Sequence, residues 1–162
     1  MTVLTSVTDP TALTLTVTAQ YAAPPAQVWT VFSDPRRLER WWGPPTWPAT
    51  FVDHDFRPGG RATYYMTGPD GEKAWGWWRF VSLEEPRALT FDDGFADDSG
   101  TPNLEMPTAH ASVALEPVDE GTLLTIVSRF DSAEDLQKVL GMGMEPGMKQ
   151  ALGQIDDLLA AS

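Results

Sequence analysis

Few side chains in this sequence have the chemistry of an internal acid or base. His54 lies on a predicted strand, where its imidazole can turn inward and exchange protons near neutral pH. Asp55 and Tyr64 are the other candidates for that role. A structural role is favoured for His54, because a strand histidine is usually held by a hydrogen bond. It is also favoured for Asp55, which can pair with Arg57 across the turn in "DFRPGG".

The sequence offers no familiar metal or cofactor motif. His54 and His110 are the only histidines and cysteine is absent, which opposes a structural zinc site. His110 alternates with alanines and is predicted to face solvent. The run "DDGFADDSG" lacks the carboxylate spacing of a calcium loop and is predicted to be a solvated acidic loop. P-loop, GxSxG and Rossmann signatures are missing too, so we expect no metal and no cofactor, and an enzyme is the less favoured class.

The charge balance restricts the partners. The 162 residues include 23 acidic and 11 basic side chains, for a formal net charge of −12. Nucleic acids and anionic lipid surfaces both require a positive protein surface, so neither is an expected partner. No apolar run is long enough to span a bilayer, and the start of the chain lacks the pattern of a signal peptide. We therefore predict a cytoplasmic protein with no membrane insertion.

Most of the chain is predicted to be antiparallel strand. The segment "TALTLTVTAQY" alternates apolar and polar residues, which is typical of a half-buried strand. Two short helices follow, "APPAQVWTVFSDP" and "PRRLERWW", and Gly43 and Pro44 end the second one. From Thr50 to Phe130 the pattern is nearly all strand and turn, with a strong hairpin signal at "GPDG".

The C-terminal segment has helical periodicity instead. Ser132 is a predicted N-cap, and beyond Gly143 a single apolar stripe predicts a long amphipathic helix that contains Met144, Met148, Leu152, Ile155 and Leu159. Such a helix must bury its stripe, and an antiparallel sheet has one face to offer. We predict an α+β fold in the order β-αα-β6-α, with a curved antiparallel sheet of about six to seven strands wrapped on the helix. Residues 1–10 are predicted to be a flexible leader, and residues 11–162 a single domain.

The aromatic segment "WWGPPTW" is too rich in proline and glycine for a long helix or a strand. We predict that Trp41, Trp42 and Trp47 close one end of the fold over an apolar cavity, with core packing as the alternative. Trp42 is the favoured cavity wall because Gly43 and Pro44 follow it. The other predicted ligand-contacting residues are Phe32, Phe56, Tyr64, Met66, Trp78, Phe80, Phe91, Met144 and Met148.

The strand "AWGWWRF" divides its aromatic residues between two faces. Trp78 and Phe80 share a face without charge, which is predicted to turn inward. Trp75 and Trp77 share the other face with Arg79 and are predicted to lie outside, as a surface for a partner.

Four segments resemble a known family in their order along the chain: "DPRRLERWWGP", "DFRPGG", "TGPDGEKAWGWWRF" and "GMEPGMKQALGQIDDLL". They are similar to the bacterial proteins related to the C-terminal domain of the Hsp90 ATPase activator. That family belongs to the START/Bet v1-like (SRPBCC) superfamily, so the resemblance implies a helix-grip fold over about residues 10–160. The superfamily contains lipid carriers, hormone receptors, polyketide cyclases and chaperone activators, so the fold alone implies no single function.

Three functional hypotheses follow, in order of preference. The first is a protein that binds a small apolar or amphipathic molecule in a cavity between the sheet and the C-terminal helix. The second, implied by the resemblance, is an interaction module for an Hsp90-type chaperone or another protein. The third is a cyclase-like enzyme that uses His54, Asp55 or Tyr64 as an acid or base within the cavity.

Overall fold

The computed structural model describes residues 3–161 and has a mixed α+β fold. One curved antiparallel sheet contains eight strands in the order β1-β2-β8-β7-β6-β5-β4-β3. The strands are β1 (Val3–Asp9), β2 (Thr14–Tyr21), β3 (Ala49–His54), β4 (Arg61–Thr67), β5 (Lys73–Glu84), β6 (Ala88–Phe95), β7 (Ala109–Val118) and β8 (Gly121–Arg129). The helices are α1 (Pro25–Ser33), α2 (Pro35–Leu38), α3 (Ala133–Gly141), α4 (Met144–Gly153) and α5 (Ile155–Ala160).

The central strands bury one face, as the predicted alternation requires. In β2 every second residue is buried, and the same holds for β8, which pairs with it. Tyr21, on the inner face of β2, donates a hydrogen bond from its hydroxyl to the carbonyl oxygen of Leu152 at 2.7 Å. This contact joins the strand to α4, and the inner face of the sheet forms one apolar core with α4 and α5. The buried residues of α3 belong to a second, smaller cluster with Ala109 and Phe130.

The prediction of a flexible leader over residues 1–10 is wrong for the part that the structure describes. Val3–Asp9 forms β1, which pairs antiparallel with β2, and residues 1 and 2 lie outside the described residues. The Asp9 carboxylate accepts hydrogen bonds from the backbone N–H groups of Thr11 and Ala12 and so fixes the turn. β1 is an edge strand on which Val7 stays 60% exposed, so the sequence shows no buried alternation there.

The long C-terminal helix of the prediction is divided into segments. The Ser132 hydroxyl accepts a hydrogen bond from the Asp135 N–H and caps α3, as expected for an N-cap. Gly143, with φ +86°, separates α3 from α4, because glycine adopts a left-handed backbone at little cost. Only Gln154 separates α4 from α5, and its backbone remains right-handed helical. The predicted stripe packs against the core, with its two methionines half-buried at the border.

The tryptophan segment follows α2 and is fixed to the C-terminal helices. The Trp41 indole N–H donates to the Val31 carbonyl oxygen at 2.8 Å, and the ring is fully buried. Nε2 of Gln154 donates to two carbonyl oxygens of the segment, at 3.3 Å for Trp41 and 2.8 Å for Gly43. These bonds hold the segment against the junction of α4 and α5, and its role in closing a cavity stays a prediction.

We predict that Gln154→Leu lowers the free energy of unfolding by about 1–2 kcal/mol, because two buried carbonyl groups lose their donor. Chemical denaturation measures the change, and acrylamide quenching of tryptophan fluorescence should increase as the segment loosens. Gln150→Leu is the matched control, since Gln150 is an exposed residue of α4, one turn before Gln154. Equal stability and equal quenching in the two variants would refute this role of Gln154.

Candidate functional site

A tyrosine and a carboxylate meet inside the fold across three neighbouring strands. The ring of Tyr64, on β4, lies directly over Gly76 of β5, where an added Cβ would come within 2.4 Å of the tyrosine Cζ and hydroxyl oxygen. The hydroxyl reaches β6 and donates a hydrogen bond to Oδ1 of Asp93 at 3.3 Å. Gly76 therefore provides the space in which the pair forms.

Asp93 is the residue that the sequence interpretation missed. The run that contains it was predicted to be a solvated acidic loop, but Asp92 and Asp93 belong to β6. Asp93 lies on the same face of β6 as the buried Leu89 and Phe91, because alternate residues of a strand share a face. Its cross-strand neighbours are Trp78 and Ala109. Extending the alternation of "ALTFDDGF" through the two aspartates would have placed one of them inward.

Burial controls the acid–base properties of the pair. Dense packing around the Asp93 carboxyl raises its pKa from 3.8 to about 7, against the opposing effect of the Tyr64 hydrogen bond. Burial, followed by the nearby Asp93 charge, raises the pKa of Tyr64 well above 10. Asp93 nevertheless keeps a minor part of its surface in contact with solvent, so its carboxyl can exchange protons near neutral pH.

Aromatic rings enclose the pair. Trp42 contacts Trp78 edge-on at a centroid distance of 4.8 Å and lies 6.2 Å from the ring of Tyr64. Phe51 stacks on Tyr64 at 5.0 Å, and Phe91 stacks on Trp78 at 3.9 Å. The rings thus form an apolar wall around Tyr64 and Trp78, the two residues next to the Asp93 carboxyl, and apolar surroundings oppose ionisation.

Two buried donors in this wall lack a regular acceptor. The indole N–H groups of Trp42 and Trp78 make no hydrogen bond of normal geometry within residues 3–161. The Trp42 N–H does lower the pKa of Tyr64, so it points toward the phenol oxygen without bonding to it at regular geometry. Buried polar groups are nearly always paired, so the indole N–H of Trp78 marks a place where an acceptor can bind.

The structure brings the predicted ligand-contacting residues together in one apolar cluster. Six are buried, namely Phe32, Trp42, Tyr64, Trp78, Phe80 and Phe91, and four are half-buried against them, namely Phe56, Met66, Met144 and Met148. Their rings and thioethers pack against one another, so a role in ligand contact stays a prediction.

The other two candidates for acid–base chemistry, His54 and Asp55, form their hydrogen bonds with residues other than Tyr64 and Asp93. Nε2 of His54 is 3.0 Å from the Phe32 carbonyl oxygen, and the imidazole stacks on Phe56 at 5.4 Å. Burial is the main cause that lowers the pKa of His54. Asp55 accepts a hydrogen bond from Nε of Arg57 at 2.7 Å on the surface, as the structural interpretation predicted. Of the three candidates, Tyr64 is the one that contacts the buried carboxyl.

His110 lies on the outer face of the sheet, but two carboxylates hold its imidazole in place. Its Nδ1 lies 2.7 Å from Oδ1 of Asp92, and its Nε2 lies 3.1 Å from Oδ1 of Asp131. The side chain is only 31% exposed. The imidazole thus joins β6 and β7 to the segment that leads into α3.

Only part of the prediction for β5 is correct. Trp78 and Phe80 are fully buried on the inner face, as expected. Trp77 was predicted to be exposed but is only 7% exposed, because Gly94 leaves space for its ring on the outer face. Trp75 is half-buried, so the outer aromatic surface contains Trp75 without Trp77.

Within residues 3–161 no group of three or more histidine, cysteine or acidic side chains is arranged to hold a metal ion. Among the described helices, none has both the length and the apolar character needed to cross a membrane.

Comparisons with known proteins identify relatives over nearly the whole chain. The family model described as "Activator of Hsp90 ATPase homolog 1-like protein" matches residues 22–160. An Arthrobacter aurescens protein, solved by NMR, is 52% identical with a TM-score of 0.95, over 99% of this chain and 94% of its own. A Mycobacterium smegmatis crystal structure is 49% identical with a TM-score of 0.90, over 99% and 98%. A Silicibacter pomeroyi protein called AHSA1 shares 21% identity at a TM-score of 0.73, over 91% and 98%, which supports the fold alone. No curated protein matches.

We predict that Gly76→Ala destabilises the protein by about 1–3 kcal/mol, because the added methyl group displaces the Tyr64 ring or separates the strands. Urea unfolding measures the loss, and the NMR signals of Tyr64 should shift. Gly153→Ala is the control, because its added methyl group meets no atom within 4 Å and alanine favours a helix. Equal effects of the two substitutions would contradict the packing described for Tyr64.

The raised pKa of Asp93 predicts a specific pH dependence of stability. Between pH values of about 4 and 7 the folded protein keeps the Asp93 proton that the unfolded chain has lost. The unfolded state then binds fewer protons, so the contribution of Asp93 to stability falls as pH rises through this window. A shift from 3.8 to about 7 corresponds to at most about 4 kcal/mol, and solvent contact at Asp93 reduces that figure.

Asp93→Asn removes this titration, so its unfolding free energy should fall less than that of the wild type across the same pH window. Urea unfolding at a series of pH values measures both curves. Asp98→Asn is the control, since Asp98 is an exposed aspartate of the neighbouring loop. Parallel curves for the wild type and Asp93→Asn would mean that Asp93 titrates like an exposed residue.

Proposed function

We propose that this chain, which belongs to the activator of Hsp90 ATPase homolog 1-like family, binds a small apolar or amphipathic molecule between its sheet and the helices α4 and α5. The observation that carries the proposal is the Tyr64–Asp93 pair inside an aromatic wall. Binding sites for small molecules typically combine apolar walls with a few converging polar groups. In this interior the pair supplies the polar end and the rings supply the apolar walls.

The polar groups restrict the chemistry of the ligand. Asp93 accepts hydrogen bonds when ionised, while the buried indole N–H of Trp78 has no acceptor among residues 3–161. A hydroxyl group satisfies both requirements, because it donates one hydrogen bond and accepts others. An apolar molecule with a terminal alcohol or phenol is therefore the best match.

Half-buried side chains at the border of the core support an access route. Met66, Met144 and Met148 are incompletely covered, and thioether side chains change rotamer easily to fit irregular shapes. Met66 also lies beside the tryptophan segment, where its terminal methyl would be 3.4 Å from a Cβ at Gly43. Repacking of these side chains would admit a ligand without unfolding a strand.

Two other functions have specific support. The family is consistent with a chaperone-activating module as well as with a ligand-binding one, and the half-buried Trp75 on the outer face favours a protein contact. An acid–base role in an enzyme would fall to Tyr64 and Asp93, because a carboxyl with a pKa of about 7 can both donate and accept a proton at neutral pH. Binding is preferred because it requires no reaction step beyond the contacts that Tyr64, Asp93 and the aromatic rings can make.

A matched pair of probes tests the binding proposal. In ¹H–¹⁵N spectra, 4-propylphenol should shift the indole N–H signals of Trp42 and Trp78, and propylbenzene should bind about tenfold more weakly, since it lacks the hydroxyl. Asp93→Leu and Tyr64→Phe should reduce this preference, while the surface control Asp98→Asn should retain it. Circular dichroism of each variant separates loss of binding from loss of fold.

Unchanged indole signals with both probes, and no small molecule in native mass spectra of protein purified from its own host, would reject an interior ligand site. Equal affinity for the two probes would instead reject the Tyr64–Asp93 pair as the polar anchor. Stimulation of the host chaperone's ATPase by a protein without a bound ligand would support the interaction module.

A further inference from the structure

The outer face of β4 and β5 carries an aromatic and cationic surface that the interior site does not use. We define this outer surface by Arg61, Thr63, Tyr65, Lys73, Trp75 and Arg79. Its residues face one another in register, with Arg61 opposite Arg79 and Tyr65 opposite Trp75. The surface thus has a pair of arginines at one end and a pair of aromatic rings toward the other.

The two arginines lack acidic partners. Both are exposed, and neither forms an ion pair with any residue between 3 and 161. The other cross-strand neighbour of Arg79 is Asp92, but that carboxylate is bonded to His110. Like charges directly opposite in a sheet are destabilising, so two unpaired arginines in a chain with 23 acidic residues indicate a site for an external anion.

The neighbouring cleft adds shape and apolar contact. It has a volume of about 670 Å³ and is bounded by Arg61, Thr63 and Trp75, together with the backbone around Gly100. Val52, 58% exposed, is a further apolar side chain in the cleft. Asp53 also lines the cleft, and Asp55 pairs with Arg57 there, so Arg61 is the cation that the cleft offers to a partner. Arg79 lies directly opposite Arg61 on β5 and adds a second cation beside the cleft.

The aromatic end has the composition of a protein-binding hot spot. Tyr65 and Trp75 contact each other at 4.9 Å and are both half-buried, and Nζ of Lys73 lies 4.4 Å above the Tyr65 ring. Tryptophan, tyrosine and arginine dominate the binding energy of protein interfaces. A small inorganic anion would contact the arginines but not the rings, so the arrangement favours a peptide segment.

We propose that the outer surface binds an acidic segment of a partner protein. Carboxylates of the segment pair with Arg61 and Arg79, whose guanidinium groups bind carboxylates through two parallel hydrogen bonds. An apolar side chain of the segment packs on Trp75 and Val52. The remainder of the chain is strongly acidic and repels the acidic segment from its other faces. The segment is therefore directed to the outer surface.

Two synthetic peptides test the proposal: one rich in Glu and Asp with a single Leu, and its counterpart with Gln and Asn at the acidic positions. The acidic peptide should bind with an affinity that falls as salt rises, and it should shift the indole signal of Trp75. The double variant R61E/R79E should bind it at least about tenfold more weakly, because attraction becomes repulsion. K138E/K149E is the matched control, since it changes the net charge equally at exposed positions of α3 and α4 and should bind within about twofold of the wild type.

Four outcomes would overturn the proposal. Failure of the acidic peptide to bind at low salt would remove the site, and equal losses in the two double variants would show that only net charge matters. Full competition by inorganic phosphate without a Trp75 shift would identify a small-anion site. Sedimentation that shows a dimer broken by R61E/R79E would identify a second copy of this chain as the occupant.

Discussion

The contact between Tyr64 and Asp93 is the constraint on which the interior depends. Tyr64 is on β4 and Asp93 is on β6, so the hydroxyl reaches the carboxylate only by crossing β5. Gly76 makes that crossing possible, because any larger residue would occupy the position of the tyrosine ring. Burial of the carboxyl costs free energy that the packing of Trp42, Trp78 and the surrounding rings must offset. The core therefore contains a polar pair that stability alone does not explain.

A single strand connects this interior to the outside. β5 presents Trp78 and Phe80 to the core, and on its other face Trp75 and Arg79 to solvent. The inner face carries the site that we assign to a small molecule, and the outer face carries the site that we assign to an acidic segment. Since both sites share β5, a ligand that displaces Trp78 would alter the strand on which the outer surface is built. The two proposals nevertheless rest on different residues and can be tested separately.

Local sequence patterns predicted those strands and helices that bury one face against a neighbouring element. The alternation of β2, the cap at Ser132 and the inward faces of Trp78 and Phe80 are of this kind. β1 was missed because an edge strand leaves residues such as Val7 exposed and so shows no periodic signal. Asp93 was assigned to solvent because of the acidic run around it, but it faces inward and bonds to Tyr64. Trp77 lies on the predicted outer face beside Arg79, but the space at Gly94 lets its ring be buried there.

The most direct test of this account is the ¹³C NMR titration of the Asp93 side-chain carboxyl. If the aromatic wall encloses the carboxyl as described, its signal should move with an inflection near pH 7, and Tyr64→Phe should change that inflection. An inflection near the ordinary value of 3.8, unaffected by Tyr64→Phe, would show that Asp93 is solvated and that no buried polar anchor exists.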